Sequence, residues 1–173
     1  GTDGHLRDGT VEAVGGGYAY RLDGAVTSAP ETRRGGHVFF ELADGPATIE
    51  CVAFEPTKRF RERVRELRVG DELTVCGEVS HGTVKLEKFA VRERVETKRT
   101  TPTCPECGRT MESAGREQGY RCRACGTSAT GKTEEPLDRA LEQGWYEVPP
   151  RARRHIAKPL VRGGFDAPTH PER

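Results

Sequence analysis

The sequence predicts a mainly β protein: a five-stranded barrel with one helix, then a small ribbon held by four cysteines, then a short helical and basic C-terminal segment. Three observations predict it. Short stretches of alternating apolar and polar residues, separated by glycine-rich turns, run from residue 10 to residue 91; one stretch of helical periodicity interrupts them; and two CxxC pairs follow. Only 34% of the 173 residues are apolar and 32% are charged, so the apolar material must be gathered in a few strands rather than in one large enzyme core.

Thr10 to Val14 and Tyr18 to Leu22 are β-prone pieces on either side of Gly15-Gly16-Gly17, which suits a bulge or turn in a strongly bent first strand. Gly36 to Leu42 and Ala47 to Phe54 form a hairpin across Ala43-Asp44-Gly45-Pro46. Pro56-Thr57 opens a three-turn helix in which Phe60, Val64 and Leu67 share one stripe and the arginines face outward, until Val69-Gly70-Asp71 ends it. Glu72 to Val79 and Thr83 to Val91 alternate as two more strands around Ser80-His81-Gly82. The order β-β-β-α-β-β, with the helix before the fourth strand, is that of an OB fold.

This assigns residues 1–95 to an OB-fold domain, 96–103 to a linker, 104–127 to the ribbon, 128–162 to a connector and basic segment, and 163–173 to a disordered tail. A short helix is expected over Pro136 to Gln143, capped by Gly144. No apolar run approaches the roughly 18 residues of a membrane-spanning helix, and Gly1-Thr2-Asp3-Gly4-His5 lacks the regions of a signal peptide, so a soluble cytoplasmic protein is expected. The sequence begins at Gly1 and its one methionine is Met111, which suggests a segment of a longer protein.

Cys104-Pro105-Glu106-Cys107 and Cys122-Arg123-Ala124-Cys125 are each followed by glycine, with 14 residues between the pairs. Two residues between cysteines let both thiolates of a turn reach one ion, so Cys104, Cys107, Cys122 and Cys125 are expected to hold a structural zinc, with iron as the competing metal. With four protein ligands no position is left for catalysis. Cys51 and Cys76 fall on strands and read as small buried hydrophobes. Gly126 to Thr133 matches the P-loop pattern GxxxxGK[ST], but no buried strand precedes it and Pro136 interrupts any following helix, so nucleotide binding is not expected there.

The net charge of +1 announces no nucleic-acid partner, yet two stretches are locally basic. Lys58 to Arg68 and Arg139 to Arg162 each carry six basic and two acidic residues. Strand alternation turns Val38, Phe40 and Leu42 inward and leaves Phe39 and Phe54 outside, as candidate stacking platforms for single-stranded nucleic acid beside Lys58 and Arg59. Trp145 to Leu160 joins aromatics to a dense basic cluster, with Trp145, Arg151, Arg153, Arg154, His155 and Lys158 as candidate RNA contacts.

Gly36 to Leu42, Phe54 to Lys58, the two CxxCG knuckles and above all the PPRARRHxxKPL run within Trp145 to Arg162 resemble the archaeal tRNA 2-agmatinylcytidine synthetase family, over its C-terminal half and over nearly all of this chain. The resemblance implies an OB fold and a zinc ribbon that hold the AUA-reading isoleucine tRNA. It further implies that a kinase-like domain of the same parent protein uses ATP and magnesium to activate the wobble cytidine for attachment of agmatine. No residue here matches that domain, so this chain is expected to bind tRNA without being catalytic by itself. A stand-alone single-strand-binding protein is the alternative, and a protein-docking module a third reading.

Overall fold

The computed structural model describes residues 6–154 and 156–171 and separates into two compact units, residues 1–95 with 139–173, and residues 96–138. In the first unit, β2 (Ala19–Val26), β4 (Val38–Asp44), β5 (Ala47–Ala53), β6 (Glu72–Ser80) and β7 (Thr83–Glu93) close a five-stranded barrel. β2 runs antiparallel to β6 from Ala19 to Ala25 and then switches to β4 at Ala25 and Val26, while β5 meets β7 in parallel. The switch needs a close backbone approach: a Cβ on Gly24 would lie 2.6 Å from the Ala43 carbonyl oxygen. The two-residue β3 (Glu31–Thr32) adds to β4.

The period-2 pattern places the core where alternation predicts. Val38, Phe40 and Leu42 are buried on β4, with Ile49, Cys51 and Ala53 on β5. Burial, with Glu50 as a lesser cause, pushes the Cys51 thiol far above its usual range, so it is held as a neutral apolar side chain. Helix α1 (Arg59–Arg65) supplies Phe60 and Val64, followed by Leu67, to the same core. It has seven residues rather than three full turns because Lys58, at φ 52°, breaks it from the 3-10 turn Glu55–Thr57.

The chain begins differently from the sequence expectation. Thr10 to Val14 is no strand: β1 (Leu6–Asp8) lies parallel to the start of β2, and the 3-10 turn Val11–Ala13 with the glycine run makes the crossover a parallel pair requires. Val11 is then spent in the barrel core.

The larger correction concerns the C-terminal segment, which is part of the first unit. β13 (Gly144–Glu147) pairs antiparallel with Lys88 to Val91 of β7, and β14 (Thr169–His170) pairs in parallel with β13. Leu141, Tyr146 and Val148 join the barrel core, and Trp145 forms a second small core with Cys76, Ala90 and Leu160, against which Leu6, Phe165 and Ala167 pack. The expected helix over Pro136 to Gln143 is absent: Pro136 ends a strand and Leu141 is drawn into the core from irregular chain. The expected disordered tail is ordered through His170 by pairing and by stacking of His170 on Tyr146 at 4.5 Å; Glu172 and Arg173 lie outside the described residues. The His155 expectation also falls outside them.

The second unit has its own ladders. β8 (Thr97–Thr100), expected as linker, pairs antiparallel with β12 (Thr133–Pro136), expected as connector, because the register sets Lys98 opposite Glu135 and Arg99 opposite Glu134 in a two-stranded stem that is largely exposed. Between them β9 (Glu112–Ser113), β10 (Tyr120–Arg121) and β11 (Ser128–Ala129) form a three-stranded ribbon over Cys104, Met111 and Cys122. The P-loop look-alike is spent on β11 and β12, with no helix after it among the described residues. No described helix is long and apolar enough to cross a membrane.

Candidate metal centre and nucleic-acid interface

The two knuckles have the same backbone design. Cys104 N–H donates to the Arg109 carbonyl at 2.8 Å and Gly108 N–H to the Cys104 carbonyl at 2.9 Å; Cys122 N–H to Thr127 and Gly126 N–H to Cys122 repeat both distances. Gly108 and Gly126 sit at φ 75° and 73°, where a side chain would be strained, which is why a glycine follows each second cysteine. The four Sγ atoms lie within 4.8 Å of one another, with Cys104 to Cys125 at 3.3 Å and Cys107 to Cys122 at 3.4 Å. Metal–sulfur bonds of about 2.3 Å require tetrahedral edges of about 3.8 Å, so the donor set fits one tetrahedral ion.

The thiols themselves are poised unequally. Burial opposes ionisation of Cys104, but the amides of Cys107 and Glu106 and the sulfur of Cys125 hold its pKa at about 6. At Cys107 the Arg109 amide favours the thiolate, yet the sulfurs of Cys122, Cys104 and Cys125 together push its pKa up to about 11. Four thiolates at this spacing repel one another unless a cation sits among them.

The candidate stacking groups are Phe39 on the outer face of β4 and Phe54 just after β5. Phe39 is half-buried under the Arg33 guanidinium, 4.1 Å from the ring centroid, and Phe54 is half-buried with His37 at its edge and Arg154 at 5.7 Å. Arg33 also pairs with Glu50 at 2.9 Å, so this face is not uniformly basic. Val52, on the same outer side, is buried.

The remaining candidates divide sharply. Lys58, Arg59 and Arg151 are exposed and line one cleft of about 530 Å³ with Pro56 and Pro149. Arg154 is exposed and faces Glu78 at 3.8 Å. Trp145 is a correction: it is fully buried, with its indole N–H on Asp166 at 3.0 Å, and so belongs to the core rather than to a surface platform. Arg153 is tied to the buried Glu147 at 2.7 Å, and Lys158 is half-buried with its ammonium 4.8 Å from the Phe165 centroid.

Sequence reasoning missed the carboxylates that shape this basic segment. Glu87 accepts the Arg154 amide at 2.9 Å, and Glu147 accepts the Leu160 amide at 2.9 Å while pairing with Arg153. Both are buried, at 4% and 3% exposure, on strands whose alternation gives no hint of it. The only signal was the nearness of Glu147 to Arg153 in sequence.

Comparison with known proteins places these two sites in one context. Residues 101–141 match the family described as TiaS C-terminal zinc ribbon domain, and residues 20–90 match the OB-fold nucleic acid binding domain. The isoleucine-tRNA 2-agmatinylcytidine synthetase TiaS of Haloquadratum walsbyi is 52% identical, over 100% of this chain and 46% of its own length. That of Methanosarcina acetivorans is 48% identical, over 94% and 39%. The chain thus spans less than half the length of these curated relatives. Among solved structures, the complex of TiaS with its isoleucine tRNA and ATP is 44% identical with a TM-score of 0.80, covering 99% of this chain and 40% of that one. Apo TiaS is 46% identical with a TM-score of 0.74, covering 95% and 40%.

Proposed function

The chain belongs to the isoleucine-tRNA 2-agmatinylcytidine synthetase family as its OB-fold and zinc-ribbon portion, and from that premise we propose that it holds the tRNA for a catalytic domain in the rest of the parent protein. The observation that carries this reading is the likeness of 99% of the chain to the solved TiaS complex with tRNA and ATP at 44% identity. On this reading the parent attaches agmatine to the wobble cytidine of the isoleucine tRNA, and ATP and magnesium act only in its catalytic domain.

The barrel supplies phosphate contacts through Lys58, Arg59, Arg151 and Arg154, and stacking surfaces through Phe39 and Phe54. Arg153 acts indirectly, by tying the loop that presents Arg151 and Arg154 to Glu147, and the Lys88 ammonium holds the same segment by donating to the Lys158 carbonyl. Zinc is the metal that the Cys104, Cys107, Cys122 and Cys125 thiolates suit best, since four soft ligands at tetrahedral spacing match it. Its part is to cross-link the two knuckles, and because all four positions are protein ligands it polarises no substrate.

Filter binding of the full chain to an AUA-reading isoleucine tRNA transcript, a different tRNA and single-stranded DNA at several salt concentrations tests the reading. Salt-dependent binding that ranks the isoleucine tRNA first supports it. Equal affinity for single-stranded DNA would select a general single-strand binder, and no nucleic-acid binding at all would leave a protein-docking module.

A further inference from the structure

Most basic side chains of the two charged runs are spent inside the fold. Arg61 donates to the Gly36 carbonyl at 2.8 Å, Arg63 pairs with Glu66 at 3.7 Å, and Arg65 pairs with Glu62. In the second run Arg139 is buried on Asp71 and Arg153 on Glu147, while Arg154 faces Glu78. Arg59, Arg68, Arg151 and Arg162 differ. All four are exposed, and none has a side-chain hydrogen bond or a carboxylate partner among the described residues.

Arg59 and Arg151 lie far apart in the sequence, yet they line the same cleft. Its walls are two 3-10 turns, Glu55–Thr57 and Pro150–Ala152, and among the described residues no carboxylate lines it. Lys58 stands at the junction of one wall with α1, at a φ of 52° that lysine rarely adopts; strained backbone of this kind persists where a site requires it. Its ammonium is 2.7 Å from Glu55. A concavity that gathers cations and excludes carboxylates concentrates positive potential. Its volume of about 530 Å³ falls in the range of small-ligand sites and has room for one nucleotide unit.

We propose that this cleft is a phosphate subsite in which Arg59 and Arg151 grip one backbone phosphate of the bound RNA from opposite walls. Guanidinium is the group suited to that task, because its planar fork meets two phosphate oxygens at once. Pro56 and Pro149 give the ribose an apolar surface to lie on, and Lys58 adds charge at the rim. The inference rests on the tRNA-holding function proposed above. What it adds is that two residues 92 positions apart serve a single phosphate, which makes them energetically coupled.

A double-mutant cycle tests the coupling directly. Affinity of the full chain for a tRNA transcript is measured across a salt series for the wild type, Arg59→Gln, Arg151→Gln and the double variant, with Arg162→Gln as an exposed arginine outside the cleft. Each single cleft variant is expected to bind about tenfold more weakly and to lower the salt slope by about one. The double variant is expected to be no more than about twofold worse than either single one, whereas Arg59→Gln and Arg162→Gln should combine independently. Multiplicative losses for Arg59→Gln with Arg151→Gln, or no loss from either, would overturn the shared subsite while leaving tRNA binding intact. A wild-type chain without salt-sensitive tRNA affinity would instead overturn the tRNA-holding function, and the subsite with it.

Discussion

Asp71 and Arg139 form a two-pronged ion pair: Nη1 and Nη2 of the guanidinium donate to Oδ1 and Oδ2 at 2.6 and 2.7 Å, and the two side chains are 0% and 6% exposed. The same carboxylate accepts the amides of Arg68 and Val95, each at 2.8 Å, and the same guanidinium donates to the carbonyls of Val95 and Glu66. The pair therefore pins the point where the chain leaves the first unit, Val95, beside the point where it returns, Arg139. With both oxygens and both terminal nitrogens engaged, the pair meets the condition under which a buried ion pair is tolerated.

Removing one partner should cost far more than removing both. Asp71→Ala or Arg139→Ala alone leaves a buried charge without its counterpart and is expected to destabilise the first unit by about 3–5 kcal/mol. Asp71→Leu with Arg139→Met should recover most of that loss. Urea unfolding followed by circular dichroism measures all three, and equal losses for single and double variants would contradict the pairing.

The same pair predicts a pH dependence. Burial raises the pKa of Asp71, but the hydrogen bonds from Arg139, Val95 and Arg68 outweigh it and hold the carboxyl below its ordinary value. A group whose folded pKa is depressed stabilises fully above its unfolded pKa, about 3.9 for aspartate, and its contribution disappears as pH falls through the folded value. Acid unfolding of the wild type should therefore steepen below about pH 4, and Asp71→Asn should lose part of that dependence. Parallel curves for the two proteins would count against it.

Trp145 should report on folding rather than on RNA. It is the single tryptophan and is fully buried, so its emission should be blue-shifted and insensitive to aqueous quenchers in the native state. Trp145→Ala is expected to cost about 3–5 kcal/mol through the cavity it leaves among Cys76, Ala90 and Leu160. Fluorescence quenched by added tRNA without any loss of stability in the alanine variant would place the ring at the surface instead.

Metal removal should separate the two units. The ribbon's own core is Cys104, Met111 and Cys122, too small to fold by burial alone, whereas the barrel core includes no residue of 96–138. Chelation, or Cys104→Ser, should collapse amide dispersion for residues 96–138 and weaken tRNA binding while barrel resonances keep their positions. Unfolding of both units together would show that the metal supports the whole chain.

Local rules carried much of this structure. Alternation on Gly36 to Leu42 and Ala47 to Phe54 was enough to orient Phe40 and Phe39 correctly, and a fixed CxxCG spacing was enough to nominate four ligands, because both patterns act within a few residues. Thr10 to Val14 misled for the same reason: its β-prone letters say nothing of the parallel partner that β1 finds in β2, which turns the segment into a crossover. The PPRARRH run was legible as basic but not as architecture, since the carboxylates that hold it, Glu87 and Glu147, lie on β7 and β13.

The sequence by itself determined the barrel's strands and helix, the four-cysteine centre and the family resemblance, all of which are written in short-range periodicity and spacing. Only the tertiary structure decided which arginines are struts and which are available to a ligand. Charge is a property of the residue, but availability depends on the distance to a carboxylate that the fold brings up from elsewhere, as Asp71 is brought to Arg139 and, among the described residues, none is brought to Arg59 or Arg151.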